Sequence, residues 1–191
     1  MRSAISSAIA VVVLTAVLGF GYPALMAGFG RVAFPAQANG SLVTAGGTVV
    51  GSRLAAQAFT SPRYFHPRPS AAYDAGGTTF ANLGPTSTGL ARDVAAAAAA
   101  VLRRERPYNP GLTVGDIPVD AVTTSGSGID PDISPAYARL QARRVAAVRA
   151  LPLAAVEALV DRSTTGRSWG FFGEPGVNVL ELNLALDRDG G

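Results

Sequence analysis

From Ser3 to Gly30 the chain carries no charged side chain, and an arginine stands at either end, Arg2 and Arg31. The central stretch, Ala4 to Ala27, reads AISSAIAVVVLTAVLGFGYPALMA. At 1.5 Å per residue, about 24 residues make a helix of roughly 36 Å, enough to cross a hydrocarbon core of about 30 Å. Tyr22 and Phe29 suit a headgroup-level aromatic belt, and Pro23 is tolerable near a membrane exit. Ala36-Gln37-Ala38 resembles a cleavage site, but the apolar run is longer, and its basic flank thinner, than in a removable signal. The pattern predicts a retained anchor: residues 1–3 a short cytoplasmic tail, 4–27 a transmembrane helix, 28–191 one domain outside. A short N-terminal tail ordinarily stays cytoplasmic, which sets that orientation. Ser3, Ser7, Thr15 and Gly19 place small residues at multiples of four, a spacing that lets helices approach closely in a bilayer. Passive lipid-facing filler is the alternative reading of that stripe.

Beyond the anchor the pattern mixes helical and strand periods without a regular βαβ repeat, which predicts an α+β domain. Arg31 to Gly46 reads as a polar loop and Thr48 to Val50 as a short β-prone run. Gly51 to Phe59 (GSRLAAQAF) reads as a short helix that Pro62 ends. The next stretch, SPRYFHPRPSAAYDAGGTTFANLGPTSTG, is long, irregular and rich in Pro, Gly, Ser and Thr; loops of that length are usually functional or interaction surfaces. Thr86, Ser87 or Thr88 caps a helix through the alanine run to about Arg106, stopped by Pro107. Asp116 to Thr124 suits a short strand. Pro135, behind a Ser134 cap, opens a helix to about Ala150, and Pro152 starts another to about Arg162. In VNVLELNLAL the leucines alternate, placing Leu180, Leu182, Leu184 and Leu186 on one face of a predicted strand.

In the helix opened by Pro135, Tyr137, Leu140, Val145, Val148 and Leu151 form an apolar face at 100° per residue, and Arg139, Arg143 and Arg149 point away from it. Gln141 and Arg144 fall inside the apolar stripe. A guanidinium on a core face needs partners, because its uncompensated burial costs several kcal/mol. The nearest acceptors along the chain are Asp130, Asp132 and the carbonyls of the preceding Ser-Gly loop. Arg144 is therefore expected to be a structural clasp on that loop, with a ligand or partner contact as the alternative.

Composition narrows the chemistry. All sixteen basic residues are arginine. Without lysine the chain can build neither a P-loop nor a Schiff-base site. There is no cysteine, which removes disulfides, zinc fingers and thiol catalysis. The net charge of +3 comes from scattered arginines with no aromatic-interleaved basic motif, so nucleic acid is not an expected partner. The loop Ser125-Gly126-Ser127-Gly128-Ile129-Asp130 can be read as an anion cradle at a helix start, or as a tight turn feeding the helix at Pro135. His66 is the single histidine, so no metal site is expected. A Ser-His hydrolase using Ser125 or Ser127 with His66 lacks a G-x-S-x-G elbow. It stands as one alternative; a binding module released after Ala38 is another.

Several ordered blocks together resemble one family, KdpC, the C subunit of the Kdp-type bacterial potassium-transporting ATPase. They are the N-terminal span, Gln37-Ala38-Asn39-Gly40-Ser41, Gly51-Ser52, YFHPRPSA from Tyr64 to Ala71, and Asn82-Leu83-Gly84-Pro85-Thr86. VTTSGSGIDPDISP, Gln141, Arg144-Val145-Ala146 and GFFGEPGVNVLELNLALD continue the series. Two positions depart from the family pattern: Ser87 stands where asparagine is expected, and Gly176 where arginine is expected. The resemblance implies a non-catalytic accessory subunit in a bacterial cell membrane. Its partners would be a potassium-binding channel-like subunit and an ATP-hydrolysing P-type subunit. ATP and K+ would belong to the complex, with no cofactor of this chain's own. It further implies a role as catalytic chaperone, stabilising the assembly and raising the ATP affinity of the catalytic subunit. The loop Ser125, Gly126, Ser127, Gly128 and Asp130, with Gln141 and Arg144, is then the candidate partner- or nucleotide-coupling segment. With the domain outside, any effect on nucleotide affinity must pass through the anchor and partner subunits as a coupling free energy.

Overall fold

A computed structural model describes residues 2–77 and 83–189, so Asn82 of the Asn-Leu-Gly-Pro-Thr block lies outside the described residues. The chain divides into two compact units, Met1–Leu42 and Val43–Gly191.

The first unit is one apolar helix, Arg2–Ala33, and the short helix α3 (Pro35–Ala38). Among the described residues it is the one helix long and apolar enough to cross a membrane. Its 32 residues rise roughly 48 Å. It is not uniform: α1 (Arg2–Leu14) and α2 (Tyr22–Ala33) flank a π-helical stretch, Thr15–Gly21. Such wide turns are rare and occur mostly as short insertions. Thr15 and Gly19 both lie in this stretch, and a Cβ on Gly19 would stand 3.8 Å from the Thr15 methyl. Where the sequence pattern predicts a loop from Arg31 to Gly46, the chain instead continues the helix to Ala33, forms α3 and enters a strand. Pro35 explains part of this, because a proline fits the first turn of α3.

The second unit opens with a two-stranded sheet, β1 (Leu42–Ala45) and β2 (Thr48–Ser52). Gly46 and Gly47 join the strands with φ of +55° and +79°, the double positive φ that a tight hairpin turn requires. The segment after β2 is not the predicted helix. Ala56 donates its amide to Ile129 O at 2.8 Å, and the Gln57 side chain donates to Val50 O at 2.7 Å, so long-range partners replace the i→i−4 ladder.

Helix α4 (Thr88–Glu105) is capped by Ser87, whose hydroxyl accepts from Leu90 N. The DIPVDAVTT region forms two single 3₁₀ turns, Val114–Asp116 and Val119–Ala121, instead of the predicted strand. Thr113 and Asp116 close the first turn as a reciprocal capping box, which favours helical over extended backbone there. Helices α5 (Pro135–Arg149) and α6 (Leu153–Arg162) follow as the pattern predicts, and Ala150 ends α5 in the left-handed region at φ +56°.

A three-stranded antiparallel sheet of β3 (Asp132–Ile133), β5 (Gly176–Asn178) and β4 (Thr164–Thr165) has order β3-β5-β4. Its register pairs Ile133 and Thr164 with Val177. The C-terminal leucine run corrects a clear expectation. Only Gly176–Asn178 is strand, and Val179–Asp189 is helix α7. Asn178 Oδ1 accepts from Glu181 N at 3.2 Å, the geometry of an N-cap, and Val179, Leu182, Asn183 and Leu186 then share one buried face at helical spacing. Alternating Leu points to a strand, but Val179, Leu182 and Leu186 also recur at helical spacing, and the cap decides between the two. The core gathers around α5: Tyr137, Ala138, Ala142 and Val145 pack with Ile133, Val156, Val160, Val177, Leu182 and Phe65.

Candidate functional site

Arg144 is 1 % exposed, and it is a clasp, but not on the acceptors that the sequence points to. Its Nε donates to both Glu105 carboxylate oxygens, at 3.0 and 3.2 Å. Its Nη2 donates to Gln141 Oε1 at 2.9 Å, and Nη1 donates to Pro62 O and, at 3.0 Å, to Tyr64 O. Asp130 instead accepts from Arg68 Nη1 at 2.9 Å, and Asp132 from Asn178 at 3.2 Å. The reason is depth. Glu105, at the end of α4, is fully buried, and a buried carboxylate requires a buried cation. Arg104 adds a second ion pair to Glu105 at 2.8 Å and donates to the Tyr137 hydroxyl at 2.9 Å. Burial holds the Arg144 guanidinium below its ordinary range, with Glu105 opposing that shift, and pushes the Tyr137 phenol up.

What this network holds is a segment, residues 62–66, that turns at Pro62 and Arg63 and has neither helix nor strand of its own. Five consecutive carbonyls in it accept from side chains: Pro62 and Tyr64 from Arg144, Arg63 from Arg149, Phe65 from Asn183, and His66 from Gln141. Gln141 and Asn183 are each bidentate. Gln141 accepts from His66 N at 2.8 Å and donates to His66 O at 3.0 Å; Asn183 does the same for Phe65 at 2.8 and 3.0 Å. Each amide side chain thus replaces one rung of a β-ladder. Phe65, with no exposed surface, plugs the segment into the core. Arg149 does not point away as the periodicity predicts. Its guanidinium lies 4.9 Å from the Tyr64 ring centre and pairs with Asp187 at 2.6 Å. Asp187 in turn accepts from the Tyr64 hydroxyl at 3.0 Å.

The same strand of chain runs on to the Ser-Gly loop. Arg68 donates to Asp130 and to Thr124 O, Ser70 Oγ donates to Gly128 O at 2.6 Å, and Tyr73 donates to Arg68 O at 2.7 Å. Within the loop, Ser125 Oγ accepts from Gly128 N at 2.9 Å and from Asp130 N at 3.4 Å, while Ser127 Oγ accepts from Ile129 N at 3.2 Å. Amides that an anion cradle would aim outward are thus engaged by the loop's own hydroxyls. Gly126 is open, and Gly128 turns the chain at φ +75°. Ser134 caps α5 through Tyr137 N at 3.0 Å and is itself held by Asp120 at 2.7 and 2.9 Å.

The candidate residues therefore form two stations joined by residues 61–73. Gln141 and Arg144 grip the start of that strap, and Ser125, Ser127, Gly128 and Asp130 receive its end. His66 Nε2 faces Ser61 O at 3.2 Å, so its ring partner is a carbonyl and not Ser125 or Ser127. Burial, reinforced by Arg104 and Arg144, holds His66 down at about 4. Among the described residues no group of three or more His, Cys, Asp or Glu side chains is placed to hold a metal. Sequence reasoning missed Glu105 and Asn183, and it turned Arg149 outward. An Asn in the middle of a leucine run was the visible signal for Asn183; nothing local marks Glu105 as the partner of a residue 39 positions away.

The fold is an N-terminal apolar helix long enough to cross a membrane, followed by an α+β region whose interior is organised by a buried arginine network. A family model described as the K+-transporting ATPase c chain, KdpC, matches residues 4–188. The chain is 52% identical over 178 residues to the potassium-transporting ATPase KdpC subunit of Rhodospirillum rubrum, covering 92% of this chain and 90% of that one. It is 53% identical over 177 residues to the subunit of the same name from Caulobacter sp. strain K31, covering 91% and 87%. For the Beijerinckia indica subunit the figures are 49% over 182 residues, 94% and 90%. This chain belongs to the KdpC family.

Proposed function

We propose that the chain serves as the accessory C subunit of an ATP-driven potassium-uptake complex in a bacterial cell membrane. Its partners there are a potassium-binding channel-like subunit and an ATP-hydrolysing P-type subunit. The observation that carries this reading is the match over residues 4–188, which includes the anchor as well as the domain. In this reading residues 1–3 lie in the cytoplasm, 4–27 span the bilayer and 28–191 lie outside. The chain stabilises the assembly and acts as a catalytic chaperone, raising the ATP affinity of the hydrolysing subunit; ATP and K+ are bound by the complex, and this chain contributes no catalytic residue.

The anchor face of Ser3, Ser7, Thr15 and Gly19 packs against partner helices. The loop Ser125–Asp130, with Gln141 and Arg144, is the coupling segment. Because the strap ties these two stations together, a partner pressing on one displaces the other. That makes the two stations one contiguous element on which a partner's contact can act as a coupling free energy.

The test is complementation of a strain lacking its own C subunit under potassium limitation, with a tagged full chain. Growth and recovery of the other subunits with the tag support the reading, and neither occurring overturns it. Reporter fusions after Gly191, one active only in the cytoplasm and one only outside, check the orientation. ATP titration of the assembly's hydrolysis with and without this chain checks the chaperone role, for which the apparent ATP affinity should fall when the chain is absent.

A further inference from the structure

Between β4 and β5 the chain makes a tip, residues 166–175, whose aromatic side chains are left outside. Trp169 is 88 % exposed, Phe171 63 % and Phe172 58 %. They form one cluster: the rings of Phe171 and Phe172 are 4.2 Å apart, and those of Trp169 and Phe172 6.4 Å apart. Their exposed surface is on the order of 400 Å², the size at which an apolar patch marks an interaction site.

The cluster is displayed rigidly. Ser168 and Phe172 exchange both backbone hydrogen bonds, at 2.9 and 3.0 Å, and Gly170 N donates to Arg167 O at 3.1 Å. Trp169 sits at φ +54°, a left-handed conformation that a bulky residue adopts only when its surroundings impose it. At the base, Arg167 pairs with Glu174 at 2.7 Å.

We propose that this tip is a docking anchor that inserts into an apolar cleft on another subunit of the same ATPase; the proposal rests on the accessory-subunit reading above. Charge decides between a protein cleft and the bilayer. Segments that lie in a membrane interface commonly set Lys or Arg opposite their aromatics, where anionic headgroups attract them. Here the one cation of the tip is neutralised by Glu174, which leaves an aromatic centre with a polar, net-neutral rim. That is the composition of a protein hot spot, where Trp is enriched and a polar ring excludes water. Pre-formed backbone geometry adds to the fit, since less freedom is lost on docking.

The test uses the tagged full chain, wild type and with Trp169→Ala or Phe171→Ala, expressed with its partner subunits. Wild type should retain them through detergent washing. Each variant should lose at least tenfold in retention, while its far-UV circular dichroism and melting stay those of wild type, because the changed side chains are exposed. Equal retention by wild type and variants overturns the tip proposal alone; no retention by wild type overturns both it and the accessory-subunit reading. Trp169 is the only tryptophan, so its emission reports the tip in the chain alone. In vesicles of brominated phosphatidylcholine that emission should escape quenching, and strong quenching would place the tip in lipid and overturn the assignment.

Discussion

Replacing Arg144 with leucine removes the donor that serves Glu105, Gln141 and two backbone carbonyls at once. Breaking a buried ion pair by deleting one partner costs about 3–5 kcal/mol. Arg104 remains beside Glu105 at 2.8 Å and keeps that carboxylate partly compensated, which favours the lower end. Pro62 O and Tyr64 O lose their donor, but Pro62 is exposed and Tyr64 half-buried, so water can replace it at about 0.5–1.5 kcal/mol each. The leucine recovers about 2 kcal/mol through apolar burial. The net expectation is a loss of about 2–4 kcal/mol, a sizeable part of the 5–15 kcal/mol that stabilises a typical domain. The assay is urea unfolding of the full chain in detergent, followed by far-UV circular dichroism. Arg144→Lys should recover less than half of the loss, because an ammonium is a point charge and cannot reach four acceptors in a planar fork. Pairing Arg144→Leu with Glu105→Gln in a double-mutant cycle should give a coupling of about 2 kcal/mol. A loss below about 1 kcal/mol for Arg144→Leu would refute the assignment of Arg144 as the central clasp.

Asn183→Leu keeps volume but leaves Phe65 N and O without partners, so it should destabilise by about 2–4 kcal/mol in the same assay. His66 has a folded pKa of about 4 against an ordinary 6.5, so its contribution is complete above pH 6.5 and is lost as pH falls toward 4. At about 1.36 kcal/mol per pKa unit, urea midpoints taken from pH 7 to pH 4 should show up to about 3 kcal/mol of loss that a His66→Gln chain lacks. Ser134→Ala removes the α5 cap and one bond to Asp120; about 1–2 kcal/mol should disappear from stability without a change in denaturant slope.

The elements that could be read in advance are those whose signals are local. Ser87, Ser134, Pro135 and Pro152 announce three helices through caps and first-turn prolines, and the uncharged run after Arg2 announces the apolar helix. The C-terminal helix reads as a strand in the sequence although its cap, Asn178 with Glu181 three residues on, has the spacing of a capping box; leucine alternation is the louder local signal. GSRLAAQAF has helical composition, and its true state is set by Ile129, far along the chain, which no local signal encodes. The burial of Arg144 was legible from its place in an apolar stripe. Its partner was not, because Glu105 reaches it only after α4 packs on α5, and nearby aspartates looked equally fit.

One feature of the strap bears on how such a domain tolerates change. Ladder hydrogen bonds between strands depend on backbone alone, so a strand can slip by two residues and still be satisfied. Residues 62–66 are read instead by fixed side chains at positions 141, 144, 149 and 183, with Arg144 meeting two carbonyls and each of the others one. The segment works like a key cut to length: the identity of an outward side chain such as Arg63 is free, but adding or deleting a single residue would misalign every notch together.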